Sequence, residues 1–334
     1  MAALRLDNKV YPVTNSTRRR YRFSILAVIA CVALLSWGGL VTSIDAGLAV
    51  PDWPSSFGSY DPLATGFEDP NDPSARWWNR LPILAEHGHR LLGALVGLFT
   101  VLLALWTWRA DERRWMRILA FAALALVIIQ GVLGGLRVIW VSLDLAVVHA
   151  LAAQLFFSLL VALALFTSDG WLRAEDVPEP SPRTKRLGQL AVASVVALYV
   201  QIVLGALLRH PGAGIDLLFG GIHATGAFLV AGLVFAVFVH IRKHFEASRL
   251  LNRGAWVMLG SVAVQFMLGF TAFIVLLVES QTAQRSALQV ILNSTHLVVG
   301  ALLMASAVCL ALLSLRRPVP APRESNAPEA LALH

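Results

Sequence analysis

Eight apolar runs, each of roughly twenty residues or more, dominate the chain, and runs of that length cross the hydrocarbon core of a bilayer as helices. They lie at 21–44, 83–108, 116–138, 145–167, 187–208, 218–241, 255–278 and 288–315. In lipid a segment must satisfy its own backbone groups, which a helix does alone. Charged residues make up only 14% of the chain, against about 25% in average soluble domains. Burying all eight runs in one water-soluble core is excluded. The sequence predicts an all-α membrane protein with eight transmembrane helices.

The formal net charge of +7 does not point to nucleic acid, because the basic residues form no patch. They sit in the short segments between apolar runs, where cytoplasmic loops retain Lys and Arg. Six of the 27 basic residues fall on the other side: Arg76, Arg80, Arg90, Arg137, Arg209 and Arg285. The remaining 21 place both termini in the cytoplasm and the long loop at 45–81 outside, in a multi-pass protein of the cell membrane. Arg18, Arg19 and Arg20 precede the first run as in a signal peptide. That run is too long for a signal sequence and is followed by more spans, so it is read as a retained helix. The two cysteines, Cys31 and Cys309, lie within apolar runs and offer neither a disulfide framework nor a CxxC metal motif.

An internal repeat organises the runs. Gln130 and Gly134 in the third run match Gln265 and Gly269 in the seventh at an offset of 135, and Gln201 and Gly205 in the fifth have the same spacing. His89 answers to His223 at an offset of 134, and His149 to His296 at 147. The expectation is two pseudo-symmetric four-helix bundles at 21–167 and 187–315, related as a parallel repeat because four is an even number of crossings. They would be flanked by cytoplasmic tails at 1–20 and 316–334 and joined by a flexible, proline-rich cytoplasmic linker at 168–186.

Of the nine histidines, His210, His240, His244 and His334 fall at run ends or in tails, where solvation accounts for them. His87, His89, His149, His223 and His296 lie inside spans, where ionisable groups are costly and mark function. One such histidine alone could simply hydrogen-bond a neighbouring helix. The last four, however, share one depth on the even-numbered segments, two per half. Facing histidines in a helical bundle grip a cofactor, and paired imidazoles are the axial ligands of a haem iron. Zinc fits less well, since no thiol or carboxylate joins each pair. His87 is turned away from His89 on the helix and is not expected to share its iron.

The halves differ at one position. Glu86 lies three residues before His89, on nearly the same helix face, whereas the matching place in the other half is Gly220. Two readings stand for Glu86: a residue at the helix start facing interfacial water, or a general base or charge stabiliser at a bound haem. Gly93 with Gly97, and Gly131 with Gly135, have the spacing of close helix packing, and also the room a flat macrocycle needs. Arg90, Arg137 and Arg209 lie near the haem depth, placed either to pair with propionates or to anchor at the headgroups.

These residues carry a resemblance. Glu86, His89 and Arg90 resemble the E-x-x-H-R motif of the haem A synthase family. Gly47-Leu48-Ala49-Val50-Pro51-Asp52-Trp53-Pro54 resembles its first-loop signature, and the duplicated eight-helix layout is similar. The resemblance implies oxidation of a methyl group of haem O to the formyl group of haem A, for cytochrome oxidase. It implies that His89 and His149 ligate the substrate haem and that His223 and His296 hold a haem b cofactor. Glu86 would be catalytic, stabilising a cation at the methyl carbon that water attacks. A haem O synthase and a membrane electron acceptor are the implied partners. The chain departs from some bacterial members in lacking a cysteine pair in the first outer loop, and its second half has no counterpart of the Pro-Asp-Trp-Pro segment. The competing expectations are a non-catalytic di-haem b-type electron carrier and a transporter using histidines as proton relays.

Overall fold

In a computed structural model, the described residues are 11–63, 65–173, 177–208, 217–279 and 285–316. Eight long helices carry them: α1 (Asn15–Ser43), α2 (Leu81–Ala110), α3 (Arg114–Ile139), α4 (Leu143–Thr167), α6 (Pro182–Leu208), α7 (Leu217–His244), α8 (Arg249–Val278) and α9 (Ala287–Leu315). A single turn, α5 (Asp169–Leu172), follows α4. All eight are long and apolar enough to cross a membrane, and the described residues contain no strand beyond an isolated bridge between Ser56 and Ser59. The chain is a multi-pass membrane protein.

Several helices begin before their apolar run. Helix α1 starts six residues earlier than hydropathy indicates, because Thr14 and Thr17 cap its end reciprocally: each side chain accepts the other's backbone N–H. Ser248 caps α8 through the amide of Leu251. Hydropathy marks the slab that meets lipid, whereas the helix runs on to its cap.

Apolar side chains face outward as well as inward: Phe228 and Met267 are exposed by about two-thirds (67% and 65%), as suits contact with lipid. Inside, one cluster joins Leu35, Leu103, Met116, Phe157 and Leu163 from α1 to α4, and a second joins Leu187, Val234, Met258 and Leu303 from α6 to α9. Ala301 and Ala305 of α9 also enter the first cluster, so the last helix packs on both sets of four.

The segment after α4 was expected to be a flexible linker. Its described beginning is instead packed: Trp171 and Leu172 are buried, and Arg316, just beyond α9, lies over the Trp171 ring and donates to its carbonyl. The end of the expected N-terminal tail is fixed too. Arg20 pairs with Asp111 at 2.6 Å, and Arg113 pairs with the same carboxylate at 2.8 Å. Burial works against the Asp111 carboxylate, but these two guanidinium groups overcome it and hold the group below the usual carboxylate range.

Candidate haem sites

The four histidines of even-numbered spans meet in two pairs. His89 of α2 faces His149 of α4 with ring centres 6.5 Å apart, and His223 of α7 faces His296 of α9 at 6.4 Å. Two imidazole nitrogens bound trans to one metal at about 2 Å each put the ring centres about 6.3 Å apart. The Nδ1 atoms of His89, His149 and His223 are buried without a hydrogen-bond partner. Among the described residues no group of three or more His, Cys, Asp or Glu side chains comes together. Pairs rather than clusters suit a haem, whose macrocycle supplies the other four nitrogens.

Each ring lies against a glycine of the preceding long helix. A Cβ at Gly38, Gly205 or Gly269 would stand 2.9, 2.9 or 2.7 Å from the Cε1 of His89, His223 or His296. At Gly134 it would stand 3.4 Å from that of His149. This contact accounts for the glycine of the Gln-x-x-x-Gly repeat. Gly93, Gly97 and Gly131 do not pack against a neighbouring helix, because a Cβ on any of them would meet nothing within 4 Å. His89, Gly93 and Gly97 are successive turns of one face of α2, which is thus bare below the histidine. Gly135 does pack, against the Trp53 ring of the outer loop.

Glu86 does not face interfacial water. It is 4% exposed; its Oε2 accepts the Val50 amide at 2.8 Å, and its Oε1 accepts from Arg90 at 3.0 Å. Arg90 also donates to the carbonyls of Asp52 (2.6 Å), Ser55 (3.0 Å) and Val50 (3.0 Å). It therefore clamps the outer loop. His87 grips the same loop, with Nδ1 3.0 Å from the Ser56 hydroxyl and Nε2 3.0 Å from the Pro62 carbonyl, and its ring packs edge-on against Trp77. Both of its ring nitrogens are engaged by the loop.

The loop signature has a local cause. The Asp52 carboxylate accepts the amides of Phe57 and Gly58, at 2.6 and 2.9 Å, and the Ser55 hydroxyl. Those two residues have positive φ, +53° and +76°, and Gly58 takes that conformation without steric penalty. Burial opposes the charge on Asp52, but these hydrogen bonds hold its carboxyl below the usual range.

Arg137 is placed differently from Arg90. Its guanidinium fills the space beside Gly47, within electrostatic reach of Glu86, His89 and His149. It makes no hydrogen bond or ion pair with another described residue. Arg209 lies outside the described residues, as do His210 and His334. The register of His89 and His223 sets Gly220 and Ala224 against Glu86 and Arg90, and that of Gln130 and Gln265 sets Ala272 against Arg137; a Cβ on Gly220 would touch Phe273 at 3.4 Å. At these three positions one site is charged and the other apolar. The Glu86 contrast is legible in the sequence alone, and the two arginine contrasts follow from the same repeat.

Fold and site define a multi-pass α-helical protein with two paired-histidine sites, one of them charged. Residues 21–221 match the model of the COX15-CtaA family, described as cytochrome oxidase assembly protein, and the chain belongs to that family. It is 29% identical over 272 residues to the heme A synthase of Exiguobacterium sp., covering 76% of this chain and 82% of the relative. It is 30% identical to that of Symbiobacterium thermophilum over 66% of this chain and 75% of the relative. With that of Shouchella clausii the identity is 26%, over 75% and 84%.

Proposed function

We propose that this protein is a haem A synthase, an enzyme of haem biosynthesis that oxidises a ring methyl of haem O to the formyl group of haem A. The observation that carries this reading is the pair of facing histidine sites, of which one alone has Glu86 and Arg137 beside it. His89 and His149 hold the substrate haem, and His223 and His296 hold haem b, in two four-helix halves related by a parallel repeat. When bound, haem b supplies one-electron transfer, which passes reducing equivalents from the reacting site toward a membrane electron acceptor.

The remaining work belongs to the chain's own side chains. The Val50 amide and the Arg90 guanidinium fix the Glu86 carboxylate in place, and each of its oxygens keeps a lone pair for a further donor. A charge fixed in advance stabilises positive charge developing on the substrate edge without reorganisation. Arg90 is committed to the loop, so the propionate contact falls to Arg137, whose planar fork suits a carboxylate. The loop from Gly47 to Pro62, pinned by Arg90 and His87, covers the site and limits water. The basic loops place both termini in the cytoplasm and this loop on the outer face of the cell membrane. A haem O synthase is the natural supplier of substrate.

The test is expression beside a haem O producer, followed by extraction and chromatography of the pigments. Haem A, absent from cells with an empty vector, is the expected result. Haem b alone, with haem O unchanged, would support a di-haem electron carrier instead.

A further inference from the structure

The glutamine of the Gln-x-x-x-Gly repeat is not explained by close packing. On α3, Gln130 is one turn before Gly134 and on the same face. Its amide nitrogen donates to the His149 carbonyl at 3.1 Å, while its Oε1 is buried with no partner. The Nδ1 of His149 is likewise buried and unpartnered, and it points to this side of the ring: a Cβ on Gly134 would stand 3.8 Å from it. One orphaned acceptor and one orphaned ring nitrogen thus belong to two residues already joined by a hydrogen bond, from the Gln130 side chain to the His149 main chain. An imidazole that binds metal through Nε2 carries its proton on Nδ1, and such ligands almost always donate that proton to a second group. Gln201 makes the same donation on α6, to the His223 carbonyl, whereas the third glutamine of the repeat, Gln265, has its amide nitrogen 3.2 Å from the Nε2 of His296.

His89 lacks this support. The residue one turn before its glycine, Gly38, is Leu34, and the Nδ1 of His89 is buried without a partner. One turn away, the Trp37 indole donates to the Ala85 carbonyl at 2.7 Å.

We infer that Gln130 is a positioning residue that accepts the Nδ1 proton of His149, making His149 the retaining ligand of the substrate haem and His89, backed by Leu34, the ligand that lets go. This rests on the assignment of His89 and His149 to the substrate haem. A substrate site must release its product, and one weaker ligand provides for that while the other keeps the macrocycle in register with Glu86. Hydrogen bonding to Nδ1 raises ligand basicity; it strengthens the bond to ferric iron and lowers the midpoint potential.

The experiment uses full-length protein in detergent carrying both haems, with Gln130→Leu and Leu34→Gln compared with the parent. Haem loss to an excess of a haem-scavenging apoprotein is timed, and the potential of each haem is titrated. The C-terminal haem serves as internal reference. Gln130→Leu is expected to release the N-terminal haem about tenfold faster, the lower end of the usual effect of removing such a partner, and to raise its potential. Leu34→Gln is expected to slow release and lower the potential, with the C-terminal haem unchanged in both. Unchanged release and potential in Gln130→Leu would overturn the inference, as would equal changes at both haems. If Gln130→Leu does not accumulate, unchanged release in Leu34→Gln overturns it. Failure of the underlying assignment looks different: His149→Ala would then leave the N-terminal haem in place.

Discussion

Glu86 and Gly220 occupy the same register one histidine pair apart, and their surroundings differ as much as they do. Glu86 is gripped by a loop amide and a guanidinium, while a side chain at Gly220 would meet the Phe273 ring. Replacing Glu86 by Gln keeps the shape and removes the charge. Glu86→Gln should therefore retain both haems yet lose at least about tenfold in haem A formed, a modest part of what a positioned charge contributes. Pigment analysis of purified protein checks both statements, and normal haem A yield would remove Glu86 from the chemistry. Arg90→Lys tests the clamp. An ammonium cannot span Val50, Asp52, Ser55 and Glu86 at once, so the loop should loosen by about 1–3 kcal/mol. Limited proteolysis between residues 45 and 81 should quicken, and an unchanged cleavage rate would show that the loop is held elsewhere.

The four facing histidines and Glu86 could be read from the sequence because ionisable groups inside apolar runs are rare and conspicuous. The separate roles of Arg90 and Arg137 could not. Both are arginines near the outer end of a span, and only the path of the loop decides which one is engaged. His87 was seen to face away from the iron by helix geometry alone, but its partners, Ser56 and Pro62, lie in a loop whose course no periodicity specifies.

Among the helices, each one that carries a facing histidine is paired with a preceding helix that carries a glycine. Gly205→Ala would set a methyl 2.9 Å from the His223 Cε1, so the ring must shift. Overpacking of this kind costs about 1–3 kcal/mol. The C-terminal haem should lose its low-spin spectrum while the N-terminal haem keeps its own; an unaltered spectrum would mean that the ring moves freely. The repeat was visible as Gln and Gly at fixed spacing, but the same spelling describes ordinary helix packing, and the ring that fills the gap comes from another helix. Helix number was fully readable, since eight apolar runs give eight spans. Helix ends were less so, because caps such as Thr14 and Ser248 lie among polar residues beyond the slab.

For the whole molecule, the two sets of four helices are tied at both ends of α9. Just before α9, Arg285 donates to the carbonyls of Thr42 and Ser43 and pairs with Asp45 at 3.4 Å. Just after α9, Arg316 holds the α5 turn. Nearby, Arg20, Asp111 and Arg113 form a buried ionic knot joining α1 to the α2–α3 connection. Sequence counting reads these arginines as topology signals, but charge counts cannot reveal that some are buried in pairs. Asp111→Asn leaves two buried guanidinium groups without their counter-charge and should cost about 3 kcal/mol or more at neutral pH. The Asp111 carboxyl titrates lower in the folded protein than in the unfolded chain. Its stabilisation is therefore present in full above the unfolded value of about 4 and is lost as pH falls through the lower folded one. Thermal unfolding in detergent should show the gap between parent and variant narrowing only in that acid range. A gap independent of pH would contradict the assignment.

That each facing histidine pair holds one haem is tested by the visible and electron paramagnetic resonance spectra of purified full-length protein carrying His149→Ala or His296→Ala, with haem counted per chain. The parent should hold two low-spin haems; His149→Ala should lose only the N-terminal one and His296→Ala only the C-terminal one. A substitution that removes neither haem, or both together, would contradict it.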